Sequence, residues 1–470
     1  MGRRKRKPFP ELHIHGIADR GKAVGRTAEG EVVFVEGAVP GDTVHALGLR
    51  KKKGVWQANV EEILQASPHR IKPICAHFED CGGCKWQHFD YAGQLQHKEQ
   101  TVKDAILRIG KLPDTEVRPI LGSEAIFHYR NKMEYSFSKF RWLTEEEIQS
   151  DDENLDREHA LGLHRPGSFD KIVDLEFCHL QAEPGNAIRN MVKTLAVQEG
   201  WTFYDPRAQK GWLRALVLRN NEKGAFMLCL VASERKEEEI QWLFDQLSGR
   251  FPEITSFYFM LNQKKNDSLA DLKAELWQGD EYLQISIGDC QYELGPKSFF
   301  QTNTRQAKTL YDQVIQMAEL KGEETVYDLY TGIGSIALYL AGACKKVVGI
   351  EEIPEAVEDA KRNAARNDHQ DLTFYAGDVR AVLDPAFAER HGAPDVVVTD
   401  PPRAGMHEDV VRFLLELKAP KIVYVSCNPA TQARDLKLLS EAYDVPAVQP
   451  VDMFPHTHHI ESVAILKLRS

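Results

Sequence analysis

The chain has 470 residues, 43% of them hydrophobic and 27% charged, which is ordinary usage for a globular protein of about two to four domains. No apolar run approaches the roughly 18 residues needed to span a bilayer. No apolar segment follows the basic residues 3–7 as it would in a signal peptide. These features exclude an integral membrane protein and argue against export.

Charge is unevenly distributed along the chain, whose formal net charge is −11. Residues 1–60 contain six Asp and Glu but twelve Lys and Arg: Arg3, Arg4, Lys5, Arg6, Lys7, Arg20, Lys22, Arg26, Arg50, Lys51, Lys52 and Lys53. This asymmetry points to a polyanionic partner for the N-terminal part, and a solvated basic tail explains it equally well.

The first predicted unit is a small antiparallel barrel within residues 11–65. Its β-rich runs are separated by glycine-containing turns and cover 13–17, 32–35, 42–47 and 58–64. The segment Val35–Val44 resembles the TRAM domain, an OB-like barrel that binds RNA.

The middle of the chain is predicted to be mixed. A helix is expected over 91–110, with Leu95, Val102, Ile106 and Ile109 on one face. Residues 125–295 are strand-rich and include an amphipathic helix at 235–248. The acidic stretch 144–159 is expected to be an exposed loop.

Three of the eight cysteines are clustered, as Cys75, Cys81 and Cys84. Their spacing is typical of a metal site that needs a fourth ligand, and spacing alone leaves tetrahedral zinc and an iron–sulfur cluster open. The remaining cysteines are scattered and no secretory signal is present, so the pattern favours a reducing cytoplasm over a disulfide framework.

From about residue 303, helical stretches alternate with short β-rich runs at 325–327, 346–350, 372–375, 395–399 and 421–425. This alternation predicts βαβ units and a buried parallel sheet. Ligands bind outside the carboxyl ends of such strands. The groups that follow the five strands are the glycine-containing loop 328–335, Glu351, Asp378, Asp400 and Cys427.

The ends of the first three strands favour S-adenosylmethionine as the ligand. Gly332 and Gly334 let backbone approach a ligand closely, and Glu351 stands where an acidic residue would bind ribose hydroxyls. A third glycine and a phosphate-binding Lys-Ser/Thr pair are missing, which weakens dinucleotide and triphosphate alternatives. Asp378 could meet the adenine amino group or simply cap a helix.

Four motifs together resemble the RNA (uracil-5-)-methyltransferase family, and its TRAM-bearing RumA-type 23S rRNA branch most closely. They are Phe300-Gln-Thr-Asn303, Asp328–Gly334, Asp400-Pro-Pro-Arg403 and Val425-Ser-Cys-Asn-Pro429. The resemblance covers essentially the whole chain. It implies a TRAM barrel over 1–66, a mixed α+β domain with the cysteines over 67–295, and a Rossmann-like class I methyltransferase domain over 296–470.

The resemblance also implies roles for individual residues. The expected S-adenosylmethionine contacts are Gln301, Tyr330, Gly332, Gly334, Ser335, Glu351, Asp378 and Asp400. Ser335 and Asp378 stand where the family often has Asn. Cys427 matches the nucleophile and Glu461 the general base, whereas spacing alone would also admit His456, His458 or His459. Cys178 is the implied fourth ligand of a [4Fe–4S] cluster.

The chemistry of uracil explains why these groups are needed. A thiolate that adds to C6 turns C5 into an enolate carbon able to attack a sulfonium methyl, and a base must then remove the C5 proton. The expected partner is therefore RNA, 23S rRNA first and tRNA as an alternative, with no membrane and with a monomer favoured.

Two other functions remain open from the sequence. A methyltransferase acting on an exocyclic amino group or on cytosine C5 could share this fold, although an amino-methylating enzyme would not need Cys427. A non-catalytic iron–sulfur RNA-binding protein with a degenerate methyltransferase fold is the second, and the pair Cys427 and Glu461 argues against it.

Overall fold

A computed structural model describes residues 6–18, 21–150, 152–383 and 385–469. The basic residues Arg3, Arg4, Lys5 and Arg20, on which part of the predicted RNA contact rests, lie outside these residues. Three large sheets and one two-stranded hairpin organise the described part of the chain, and the helices pack against the second and third of the large sheets.

The N-terminal sheet is a closed five-stranded barrel in the order β1-β2-β3-β5-β4, as the sequence predicts. Its strands are β1 (Lys7–Ile17), β2 (Ala23–Arg26), β3 (Val32–Glu36), β4 (Thr43–Lys52) and β5 (Val55–Gln65). Apolar side chains alternate into its core, which includes Leu12, Val33 and Val44. The buried carboxylate of Asp42 accepts hydrogen bonds from the Ser67 amide and the Arg70 guanidinium, which fastens the barrel to the chain that follows.

The second sheet has seven strands in the order β13-β12-β11-β10-β7-β8-β9. They are β7 (Lys132–Ser138), β8 (Ala160–His164), β9 (Ile172–Asp174), β10 (Leu213–Asn220), β11 (Phe226–Ala232), β12 (Ile254–Leu261) and β13 (Ala274–Gly279). Helices α3 (Gly185–Gln198) and α4 (Glu237–Arg250) bury apolar faces in its core cluster.

The acidic stretch differs from the predicted loop because it contains a short helix, α2 (Glu145–Gln149). Thr144 caps this helix by accepting a hydrogen bond from the Glu147 amide, while the Glu147 carboxylate accepts one from the Thr144 amide. This reciprocal capping box stabilises a helix that buries no side chain.

The third sheet has eight strands in the order β18-β17-β16-β19-β20-β22-β21-β6. Strands β16 (Thr325–Leu329), β17 (Lys346–Glu351), β18 (Leu372–Ala376), β19 (Val396–Thr399) and β20 (Lys421–Ser426) are parallel, as predicted. An antiparallel pair, β22 (Glu461–Leu468) and β21 (Tyr443–Val451), extends the sheet beyond β20. The fold is therefore a methyltransferase-like α/β domain with an antiparallel extension.

Helices cover both faces of this sheet and bury its apolar strands in two clusters. They are α5 (Thr304–Ala318), α6 (Ser335–Ala341), α7 (Pro354–Arg366), α8 (Val379–Val382), α9 (Pro385–His391), α10 (Glu408–Leu417) and α11 (Pro429–Leu439). A hairpin of β14 (Leu283–Ile287) and β15 (Cys290–Leu294) joins the same core. No helix in the described ranges is long and apolar enough to cross a membrane.

Residues that precede the second sheet in sequence pack against the third sheet or pair with it. Helix α1 (Tyr91–Asp104) continues into a π-helical turn (Ala105–Gly110), and Val102 and Ile106 pack in the same core as strands β16 and β20. Strand β6 (Glu116–Val117) then pairs with β21. The chain thus contributes to the C-terminal domain, enters the second sheet and returns.

Candidate active site

The predicted strand-end groups meet at one edge of the third sheet. The Asp400 amide donates to the Leu329 carbonyl at 3.3 Å, and the Thr331 amide donates to the Ile350 carbonyl at 3.0 Å. These bonds continue the parallel ladder beyond β16, β17 and β19. They bring the loop after β16 beside Glu351 and Asp400.

The loop after β16 follows a backbone path that favours glycine. Tyr330, Gly332 and Gly334 have φ of 65°, 58° and 79°, in the left-handed region. A Cβ on Gly334 would also lie 2.8 Å from Leu338 Cδ1. The Gly332 amide donates to Glu351 Oε2 at 3.0 Å and the Ile353 amide donates to Oε1 at 2.9 Å, so the backbone fixes the Glu351 carboxylate.

Two of the predicted cofactor residues already have protein partners. The Ser335 hydroxyl accepts a hydrogen bond from the buried Tyr311 hydroxyl at 3.1 Å. Asp378 caps α8 by accepting from the Arg380 amide at 2.9 Å and also pairs with the Arg380 guanidinium. The hydrogen bonds from Arg380 lower the Asp378 pKa to about 2. For Asp378 the structure shows the helix-capping alternative; contacts of these two residues with a cofactor stay predictions.

Gln301 lies where the second and third sheets meet. Its carbonyl accepts a hydrogen bond from the Asn131 side chain at 2.9 Å. Two residues later, Asn303 caps α5 and donates through its side chain to the Met453 carbonyl at 3.1 Å. Gln301 therefore stands between the central domain and the segment that leads to Glu461.

Buried carboxyl groups dominate the electrostatics of this edge. Burial raises the Asp328 pKa to about 7, against a hydrogen bond from Thr331 and with a further rise from Glu351. Burial and the neighbouring Asp328 raise the Asp400 pKa to about 7. Because these groups repel one another when ionised, a bound cation would favour their charged forms.

Cys427 and Glu461 are brought together by the sheet register. Ser426 pairs with Ser462 across β20 and β22, so Cys427, the next residue along the chain, follows β20 beside the start of β22. Burial raises the Cys427 pKa to about 11, and the Glu461 and Asp400 charges add to the rise. Burial raises the Glu461 pKa well above its usual range, with a further rise from Asp400.

Arg403 is a functional candidate that the sequence analysis quoted only as part of a motif. Its positive charge lowers the pKa of both Cys427 and Glu461, against the effect of burial. The Arg403 carbonyl accepts hydrogen bonds from the Asn428 side chain at 3.0 Å and from the Thr431 hydroxyl at 3.3 Å. These bonds tie the loop after β19 to the loop that carries Cys427.

Two of the three histidines that rival Glu461 as the base have unfavourable surroundings. Burial, with the Lys98 charge, lowers the His456 pKa to about 4, and the His456 ring stacks on Phe127 at 4.4 Å. Burial and the neighbouring His458 lower the His459 pKa to about 3. Such weakly basic rings are poor acceptors for a carbon-bound proton.

The four predicted metal ligands Cys75, Cys81, Cys84 and Cys178 line one cavity with apolar walls. Burial raises the pKa of the Cys81 and Cys84 thiols to about 12 each. Among the described residues, no three His, Cys, Asp or Glu side chains are grouped closely enough to hold a metal ion. The cysteines are therefore gathered around a shared cavity, but not around a single-ion position.

The basic residues of the barrel are partly neutralised within it. Lys7 and Lys51 both pair with Glu31, and both ammonium groups lie beside the Trp56 ring. Lys52 and Lys53 are exposed at the turn between β4 and β5. The pattern leaves exposed cations at this turn, beside a paired cluster around Trp56.

Comparison with known proteins assigns this arrangement to a family. Residues 389–469 match the family described as tRNA (Uracil-5-)-methyltransferase, and residues 264–386 match protein-L-isoaspartate(D-aspartate) O-methyltransferase. A Bacteroides thetaiotaomicron protein described as an uncharacterized RNA methyltransferase is 45% identical over 456 residues, which cover 96% of this chain and 100% of that protein. A Porphyromonas gingivalis protein with the same description is 45% identical, with 97% and 99% covered.

A solved structure extends the similarity to three dimensions. The Pyrococcus abyssi tRNA (uracil-54, C5)-methyltransferase in complex with S-adenosyl-L-homocysteine matches with a TM-score of 0.76 and 28% identity. The match covers 97% of this chain and 100% of that one. The similarity thus includes the barrel, the central sheet and the C-terminal domain.

The raised pKa of Asp400 predicts a pH-dependent affinity for S-adenosylmethionine. At pH 5.5 the carboxyl is protonated in the free protein, and a sulfonium favours its ionised form. Affinity should therefore rise by up to about tenfold per pH unit toward pH 7 for each carboxyl that ionises on binding, and then level off. Calorimetry between pH 5.5 and 7.5 measures this slope.

S-adenosylhomocysteine is the matched ligand, because it lacks the sulfonium but keeps the other titrating groups. In Asp400→Asn, the two ligands should show nearly the same slope of affinity against pH. Asp378→Asn should leave the difference in slope between the two ligands unchanged because the Asp378 pKa is already about 2. Equal pH slopes for the two ligands in the unaltered protein would contradict the prediction.

Proposed function

The chain belongs to the RNA (uracil-5-)-methyltransferase family, and we propose that it transfers the methyl group of S-adenosylmethionine to C5 of a uridine in RNA through a covalent adduct. The observation that carries the proposal is the neighbouring placement of Cys427 and Glu461 at the ends of β20 and β22. A nucleophile beside a base matches the two demands of uracil C5 chemistry.

In the first half of the reaction, the Cys427 thiolate forms a bond to uracil C6 while the electron pair of the C5–C6 double bond moves toward O4. The thiol is protonated in the free protein because its pKa is about 11. Positive charge from Arg403 and from the sulfonium lowers this pKa and favours the thiolate. C5 then takes the methyl group, and S-adenosylhomocysteine leaves.

In the second half, Glu461 removes the proton from C5, and the resulting electron pair expels the Cys427 thiolate from C6. Burial keeps Glu461 a stronger base than an exposed carboxylate once it is ionised. The Arg403 charge supports the ionised form. In this proposal Cys427 acts before methyl transfer and Glu461 acts after it.

The cofactor is proposed to lie along the strand ends. Glu351, held by two backbone amides, is assigned to the ribose hydroxyls. Gln301, Tyr330, Gly332, Gly334 and Asp400 are proposed as further contacts of the cofactor. Ser335 and Asp378 complete the proposed set, and their side chains, like that of Glu351, also have partners within the protein.

The proposed substrate is 23S rRNA, gripped in part by the N-terminal barrel acting as a TRAM domain. Support comes from the resemblance of Val35–Val44 to that domain and from the exposed Lys52 and Lys53. Phosphate contacts from such lysines give salt-dependent affinity without sequence preference. The second candidate is tRNA, favoured by the match to the Pyrococcus abyssi tRNA enzyme.

The four cysteines that line one cavity are proposed to hold a [4Fe–4S] cluster. Four sulfurs around one zinc ion would lie about 3.8 Å apart, given Zn–S bonds of roughly 2.3 Å. Support for the cluster comes from the family resemblance and from the one cavity that the four side chains line. Such a cluster, with Cys75, Cys81, Cys84 and Cys178 as its ligands, would serve a structural role.

Removing Cys427 and Glu461 should stop the reaction at different points. Cys427→Ala should bind RNA and cofactor yet give neither adduct nor 5-methyluridine. Glu461→Gln should methylate C5 and then stall, because the C5 proton has no acceptor. With the methyl group of S-adenosylmethionine labelled, the label should appear in a protein–RNA band that survives denaturing electrophoresis.

Methylation of uracil by Cys427→Ala would refute the covalent mechanism. Normal turnover by Glu461→Gln would remove Glu461 as the base. Cys344→Ala is the matched control for Cys427→Ala because Cys344 packs beside the core of the same domain, away from these strand ends.

The substrate assignment predicts where 5-methyluridine is lost. Total RNA from cells lacking this protein should lack the modification at one 23S rRNA uridine, and purified protein should restore it on that RNA. Loss in tRNA alone would transfer the assignment to the second candidate. Unchanged 5-methyluridine in both RNAs would contradict the proposed function.

The cluster assignment predicts that anaerobically purified protein is brown and contains iron in excess of zinc. Cys178→Ala should lose the metal. Cys344→Ala should keep it, because Cys344 does not line the cavity. Colourless protein with one equivalent of zinc would overturn the cluster. Retention of iron by Cys178→Ala would place the fourth ligand elsewhere.

A further inference from the structure

The segment 452–460 joins β21 to Glu461 and has no regular secondary structure. Its backbone groups must therefore find hydrogen-bond partners outside a helix or a sheet. Most of these partners are distant in sequence and precede the first strand of the second sheet. The segment leads directly into Glu461, which is the first residue of β22 and pairs with Val451 of β21.

A fully buried ion pair fixes the beginning of the segment. Lys98 Nζ on α1 lies 2.6 Å from Asp452 Oδ1, and both side chains have 0% exposure. Lys98 also donates to the Phe454 carbonyl at 3.1 Å. Asp452 accepts further bonds from the Phe454 amide at 3.0 Å and from the Tyr91 hydroxyl at 3.0 Å.

The middle of the segment is held by α1 and by the loop that contains Cys75, Cys81 and Cys84, called here the cysteine loop. His456 has φ of 64°, a left-handed conformation that a non-glycine residue rarely adopts. Its amide donates to Gln94 Oε1 at 2.9 Å. Its carbonyl accepts from the Lys85 amide at 2.8 Å and from the Trp86 amide at 3.1 Å, directly after Cys84.

We propose that Lys98 and Asp452 are positioning residues for Glu461, so that removal of the C5 proton depends on their ion pair more than methyl transfer does. The inference rests on the proposed function. Neither side chain is placed at the reacting atoms; they act through the backbone of the segment that ends at Glu461. The cysteine loop supports the same segment through His456.

The energetics of buried ion pairs favour a positioning role. Taking two charges out of water costs about as much as their attraction returns, so an apolar pair of similar volume would stabilise the fold as well. What an apolar pair could not do is bond Phe454 through both its amide and its carbonyl. The ion pair therefore fixes a backbone conformation that packing alone leaves free.

The test is the double variant Lys98→Met with Asp452→Asn, which removes both charges and leaves no unpaired ion to unfold the protein. Single-turnover experiments with labelled S-adenosylmethionine separate methyl transfer from release of the RNA. We expect methyl transfer within about threefold of the unaltered protein and release slowed by tenfold or more. Methylated adduct should accumulate, as for Glu461→Gln.

Lys103→Met is the matched control, because Lys103 lies on the same helix and its pair with Glu99 is partly exposed. It should release RNA normally. If the double variant loses methyl transfer and release equally, or turns over like the control, the positioning role is refuted.

Hydrogen exchange separates failure of this inference from failure of the proposed function. Should Glu461→Gln turn over without accumulating adduct, Glu461 is not the base, and hydrogen exchange then tests by itself whether the ion pair holds the segment. Faster exchange at the amides of Phe454 and His456 in the double variant, but not in Lys103→Met, supports the inference. Unchanged exchange in the double variant overturns it.

Discussion

Repulsion among buried carboxyl groups is the constraint around which this site is built. Asp328, Asp400 and Glu461 lie in a region of low dielectric, and burial raises the pKa of each. A fold tolerates such a group of acids at neutral pH because they can stay protonated until a cation arrives. Burial is also the main reason that the Cys427 pKa is raised to about 11, so the free protein holds this side chain as a thiol.

Chain topology places the elements that hold this site. The five parallel strands deliver one functional group each to the same edge, but Glu461 comes from an antiparallel strand that enters beside β20. Because β22 runs antiparallel to β20, it starts beside the end of β20, and Glu461 therefore lies next to Cys427. The irregular connection before it is braced by α1, which packs in the same core as β16 and β20.

The sequence predicted what depends on local pattern. The βαβ alternation, the barrel and the strand-end motifs all carry signals within a few residues, and the structure confirms the barrel and the α/β fold. The short helix at 145–149 was missed because its stability comes from a capping box, with no apolar periodicity. Arg403 was visible as part of a motif, but its effect on Cys427 and Glu461 required the three-dimensional arrangement.

Other features could not be predicted because they join distant parts of the chain. Lys98 and Asp452 are separated by 354 positions, and nothing near either residue marks it as one half of a pair. The partners of Ser335 and Asp378 likewise depend on Tyr311 and Arg380 side chains whose directions only the fold sets. The assignment of individual cofactor contacts therefore stays a prediction.

The distance between Lys98 and Asp452 has a consequence for biosynthesis. During translation Lys98 leaves the ribosome long before Asp452, and α1 cannot bury its ammonium group at low cost until the acid arrives. A nascent or prematurely terminated chain that ends before residue 452 would hold an unpaired charge against the core and lack β22, which pairs with both β20 and β21. Incomplete chains should thus be unstable and exposed to proteolysis, because they lack both the acid that pairs with Lys98 and the strand that completes the sheet.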